Sequence, residues 1–156
     1  MPVVAWRGLV AEWFVQPLAL APPDAVRTAR PAHGRPPAKF GKGDIGILNY
    51  ALTLEYLEAA FYNEATAANL PLDAQTAAFL KVVTRDENTH VKYLKGALGH
   101  AAIKKPTFDF KGTTKDAAMF KATSQVLENT GVHAYSGQAL NIKSAKVVRA
   151  AVSILT

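Results

Sequence analysis

The chain has 156 residues, 49% of them hydrophobic, with a mean hydropathy of +0.04, enough apolar material for one packed core and too little length for two. It contains no cysteine, which excludes disulfides, thiolate metal sites and cysteine nucleophiles and leaves the redox compartment open. The formal charge of +6 gathers at the N-terminus, where residues 1–43 hold six basic against two acidic side chains while the remainder holds twelve against ten, so the folded part carries no nucleic-acid-type charge.

Residues 1–43 contain seven of the nine prolines, including Pro22-Pro23 and Pro36-Pro37, and read as a flexible basic arm outside the core. Within it Arg7 precedes an apolar run, Leu9 to Ala21, that ends in Ala19-Leu20-Ala21, the small-x-small pattern of a signal-peptidase site. Glu12, Pro17 and Pro22 run against that pattern, so the segment reads as an arm or a degraded targeting signal, with cytoplasmic and exported locations both open. No later stretch approaches the apolar length of a membrane span.

From residue 44 the chain reads as helices. Asp44 is an N-cap candidate for a first helix from Ile45 to Ala68, rich in Ala, Leu and Glu and free of proline, which Asn69-Leu70-Pro71 ends. Asp73 caps a second that runs to Leu98, with Gly99 as its stop. The stretch His100 to Thr114 has no clear period and reads as a long connection. A third helix spans Asp116 to Leu140, a turn follows at Asn141 to Lys143, and Ser144 caps a fourth that continues to Thr156. Short, long and short connections predict an all-α four-helix bundle with one crossover.

Helical periodicity places several polar residues on core-facing seams. Leu48, Leu52, Glu55, Ala59 and Tyr62 form one seam; Leu80, Val83, Glu87, His90, Val91, Leu94 and Leu98 form the next. Phe120, Ser124, Glu128, Gly131 and Tyr135 form the third, and Glu128 precedes Tyr135 by the same seven residues that separate Glu55 from Tyr62. Val148, Ala151 and Leu155 form the fourth. Glu58 is an alternative to Glu55 as a ligand, but it falls on the line of Leu54 and Phe61, where a rim ion pair is expected instead. Three glutamates and one histidine thus converge on one interior, and burying unpaired carboxylates costs several kcal/mol unless a partner compensates. A divalent metal is such a partner, and oxygen and nitrogen donors without thiolate suit iron or manganese.

The blocks Leu48 to Tyr62, Asp86 to Leu94 and Leu127 to Tyr135 resemble the ferritin-like domain family, in its branch of desiccation-related and fungal stress-response proteins. The resemblance implies a dinuclear iron or manganese site in which Glu55 is a terminal ligand, Glu87 a bridging carboxylate, His90 a terminal nitrogen ligand and Glu128 the third-helix carboxylate, with Tyr62 and Tyr135 near the metals. The family's second E-x-x-H is missing. Adding the Glu55 to Glu87 interval to Glu128 points to about residue 160, beyond Thr156, so an incomplete fourth helix is expected.

Two function classes follow: a dimetal oxidoreductase of oxidase, ferroxidase or peroxide type, impaired by the missing motif, and a metal-free, non-catalytic stress or desiccation-protective scaffold. A short fourth helix would leave an apolar groove between its neighbours, from which self-association is expected. Nucleic acid is a poor candidate partner, because the basic arm is sparse and lacks interleaved aromatics past Phe14.

Overall fold

The computed structural model describes residues 36–139, 141–145 and 147–148. Among them are three long helices, α1 (Gly43–Ala68), α2 (Ala74–Leu98) and α3 (Ala117–Ala139), and no β-strand. None is long and apolar enough to cross a membrane. The punctuation read from the sequence operates at most ends. Asn69 stops α1 in the left-handed conformation (φ 50°, ψ 52°), which Asn tolerates, and Gly99 stops α2 at φ 54°. Asp73 Oδ1 accepts the Thr76 N–H at 2.9 Å, and Asp116 Oδ1 accepts that of Met119 at 2.8 Å.

Asp44 does something else. Lys42 holds the N-cap position of α1 without a side-chain bond, and Asp44, inside the first turn, accepts the backbone N–H groups of Lys143 (3.0 Å) and Ser144 (2.8 Å). Its carboxylate still favours the helix N-terminus electrostatically, but its hydrogen bonds fasten the far connection to the start of α1. Residues 145, 147 and 148 are helical, and the Val148 N–H bonds to the Ser144 carbonyl at 3.0 Å, so a further helix begins where expected. The expected seam residues Ala151 and Leu155, and residues 1–35 of the expected arm with their apolar run, lie outside the described residues.

The helix directions are those of a bundle with one crossover. Lys121 near the start of α3 pairs with Asp73 at the start of α2 (2.6 Å), and Thr114 just before α3 bonds to Glu64 near the end of α1. Helix α3 is therefore parallel to α2 and antiparallel to α1, as it must be when the connection returns along the whole bundle. That connection is anchored. Phe110 is buried and meets Phe61 edge-on with ring centroids 5.3 Å apart. Asn49, also buried, donates to the carbonyls of Phe40 and Ala101 at 2.9 Å each and accepts the Ile103 N–H at 3.1 Å.

The same Asn49 ties Phe40, which composition assigned to the arm, to the helical core. Phe40, in a 3-10 turn at Ala38–Phe40, is buried and packs edge-on against Tyr50 at 5.6 Å, so the folded core takes in this turn. Gly46 permits the close approach: a Cβ there would lie 2.5 Å from the Gly41 carbonyl oxygen. Asn49→Ala should cost about 2 kcal/mol, because it leaves two carbonyls and one N–H without their partner. Urea unfolding would show this as a lower midpoint at unchanged slope, and a shift worth under about 0.5 kcal/mol would mean Asn49 is not a clamp.

Candidate metal centre

Two of the three apolar clusters in the bundle leave a polar layer between them. One is built on Leu57, Phe61, Tyr62, Val83, Phe120 and Leu127, the other on Leu48, Leu52, Tyr56, Leu94, Leu98 and Tyr135. On each helix the residues between the clusters are the ones that carry chemistry: Glu55 and Glu58 on α1, Glu87 and His90 on α2, Glu128 and Gly131 on α3. With Val132 and Tyr135 they line a cavity of about 130 Å³.

The tightest part of this layer is Glu55, Glu87 and His90. Each offers one ligand atom, and the three atoms lie within 4.8 Å of one another. The E-x-x-H spacing puts Glu87 and His90 on one face of α2, one turn apart, and Glu55 faces them from α1. His90 Nδ1 is 3.2 Å from Glu55 Oε2 and 3.4 Å from Glu87 Oε2. Glu55 and Glu87 are nearly sealed, with side chains 2% and 8% exposed, while His90 at 21% reaches toward solvent.

Both tyrosines act on carboxylates. Tyr135 donates to Glu55 Oε1 at 2.5 Å, and Tyr62 donates to Glu128 Oε1 at 2.5 Å. With its only proton committed to Glu128, Tyr62 accepts from the Ser124 hydroxyl at 2.8 Å. These hydrogen bonds set both tyrosines against carboxylates of the polar layer. Tyr62→Phe should lower the stability of the metal-free protein by about 1–2 kcal/mol through loss of a charge-assisted bond. An unchanged thermal midpoint would mean that water replaces the hydroxyl.

Electrostatics set these groups against each other. Burial, followed by the charges of Glu55, Glu87 and Glu128, holds the Glu58 carboxyl well above the usual range. Burial pushes Glu87 up to about 7, against the opposing hydrogen bond from His90. Burial also raises Glu128, offset in part by the Tyr62 hydroxyl. Hydrogen bonds to Glu55 and Glu87 carry His90 up to about 10. Tyr62 and Tyr135 are raised by burial and by the carboxylates they touch, so they keep their protons. Burial thus pushes Glu58, Glu87 and Glu128 toward their neutral form beside a histidine that its carboxylate partners hold protonated.

Glu128 lines the cavity but stands outside the three-atom group, held by Tyr62. Glu58 corrects the sequence reading. It is 6% exposed, takes part in no ion pair among the described residues, and faces the cavity. The seam argument failed because α1 is buried on nearly every side, at 17 of its 26 residues, so no outer face was left for a rim pair. The three-residue step from Glu55 to Glu58 was the usable signal. His133 and His100 are exposed and outside this layer.

A family model described as a ferritin-like domain matches residues 43–156. No curated protein and no solved structure matches the chain.

Proposed function

Because this chain belongs to the ferritin-like domain family, we propose that it holds iron or manganese on Glu55, Glu87 and His90, with Glu128 at the edge of the set. The observation that carries this reading is the meeting of two buried carboxylates and one imidazole nitrogen, from two helices, within 4.8 Å. The donor set fits such ions. Every donor is oxygen or nitrogen, and among the described residues no lysine or arginine lines the cavity to neutralise the carboxylates in the metal's stead. Bound metal would supply electron exchange with dioxygen, peroxide or free ferrous iron, chemistry suited to protection under oxidative or drying stress.

The chain's own residues bind and orient. Tyr135 fixes one oxygen of Glu55 and leaves the other toward His90. Tyr62, on α1, fixes one oxygen of Glu128. The cavity is open to solvent beside Val132, which is 51% exposed. His90 must give up its proton before its nitrogen can serve as a ligand, so binding releases protons.

A metal-free scaffold is the second reading. It is favoured by His90 Nδ1 already spanning Glu55 and Glu87, and by the absence, among the described residues, of sealed side-chain polar atoms without a partner. Elemental analysis after loading with manganese or iron separates the two, with Glu87→Ala as control. The metal reading expects about one or two ions per chain, lost in the control. Metal no higher in the wild type than in the control would leave the scaffold.

A further inference from the structure

The near balance of charge over residues 44–156 does not extend to their surface. Of the ten acidic side chains there, Glu55, Glu58, Glu87 and Glu128 line the interior cavity, which leaves six to set against the twelve basic ones. The basic side chains are also unevenly placed. The start of α1 and the end of α2 lie at the same end of the bundle, where Asn49 binds the carbonyls of Phe40 and Ala101. Asp44 ties the turn after α3 to that end through the backbone of Lys143 and Ser144. Here Lys39, Lys42, Lys95, Lys104, Lys105 and Lys143 are all exposed, and none is in an ion pair among the described residues. Asp44, the acidic side chain set among them, has both oxygens engaged by backbone N–H groups. At the other end Lys111 and Lys121 are paired with Asp109 and Asp73.

We infer that this lysine-rich end of the bundle docks on an anionic lipid surface. Charge complementarity carries the inference: lysines held at one end of a rigid body all come within a Debye length of a planar negative surface at once. An apolar component favours a bilayer over a nucleic acid. Ile45, 49% exposed, stands in the first turn of α1 beside Lys42 and Asp44. The chain also enters the fold at this end, since Phe40 packs on Tyr50, and the sequence before it holds Arg27, Arg30, Arg35 and the apolar run Leu9 to Ala21. An aliphatic side chain gains burial among acyl chains and gains nothing against a phosphodiester backbone. The six lysines are point charges that suit a diffuse field, with no arginine among them to grip single phosphates in a fork. No described helix can cross a membrane, so the contact lies on the surface. It is independent of whether metal occupies the interior.

The test is co-sedimentation of the full chain with phosphatidylcholine vesicles that contain about 30% phosphatidylserine, beside vesicles of phosphatidylcholine alone, at about 0.1 M salt. Binding should be at least about tenfold tighter to the anionic vesicles and should fall steeply by about 0.5 M salt. Lys104→Glu with Lys105→Glu should weaken it by at least about twentyfold, since each lysine near such a surface is worth about fivefold. Lys81→Glu with Lys115→Glu makes the same change of net charge at exposed positions in the other half of the bundle, and should cost less than about threefold. Thermal midpoints matching the wild type show that both variants are folded. Equal binding to the two kinds of vesicle would assign the contact to apolar insertion without charge. Equal losses in the two variants would mean that net charge acts without a docking face, and no loss at Lys104 and Lys105 would leave the contact to residues 1–35. Binding of a duplex DNA oligonucleotide at concentrations where anionic vesicles are not bound would assign the end to nucleic acid. Each of these results overturns the inference, as does a chain that binds neither.

Discussion

Saturating the metal-free protein with Mn(II) at pH 7.5 is expected to raise its unfolding midpoint by on the order of 10 °C, and Glu87→Ala is expected to abolish the rise. A ligand at about a hundred times its dissociation constant adds about 2.7 kcal/mol when it binds only the folded state. For a domain of this size each kcal/mol moves the midpoint by about 3–5 °C. The folded state alone assembles the ligands, because Glu55 and Glu87 come from different helices and are brought together only by the packing of α1 on α2. Glu87→Ala separates binding from folding. It removes a carboxylate whose ionised form is resisted by burial, so the metal-free variant should unfold no more easily than the wild type while losing the response to metal. A variant that still gains the full shift would place the ion elsewhere on the chain.

The metal-free protein is also expected to be most stable near pH 5 and to weaken steadily toward pH 9. The direction follows from which state holds more protons. Glu87 is raised from 4.5 to about 7 on folding, so the folded state binds the extra proton, and stability falls as pH rises through that interval. Glu58 and Glu128 are raised in the same sense and add to the slope. His90, raised from 6.5 to about 10 by its two carboxylate partners, contributes stability that is complete below 6.5 and lost as pH climbs toward 10. Glu87 alone carries on the order of 3 kcal/mol across its window. Asp73 and Asp109 are lowered by lysine partners and act the other way below pH 4, but both are exposed and count for little. Metal binding competes with these same protons, so the gap between metal-loaded and metal-free midpoints should widen with pH. Denaturant titrations at pH 5, 7 and 9 check this, and stability that is flat or increasing over that range would show that the cluster is not protonated in the folded state.

The sequence by itself determined the elements and brought together most residues of the candidate site, because both rest on local rules. Asp73, Asn69 and Gly99 act within a few residues of their own helix ends, and the 3.6-residue period brings Glu55, Glu87, His90 and Tyr135 inward wherever the helices pack. The order of short and long connections was enough to fix the crossover, since a chain that must return along the bundle needs the extra length. What only the tertiary structure decided are the partnerships between residues far apart in the chain. Asp44 looked like a cap for its own helix and instead bonds to Lys143 and Ser144. Phe40 belonged by composition to the proline-rich arm, yet Asn49 and Tyr50 hold it in the core. Glu58 was read as a rim residue because periodicity assumes one solvent face, and α1, wrapped by α2, α3, the crossover and the N-terminal turn, has almost none. A period tells which residues share a face of a helix; only the neighbours that pack on it tell which faces are buried.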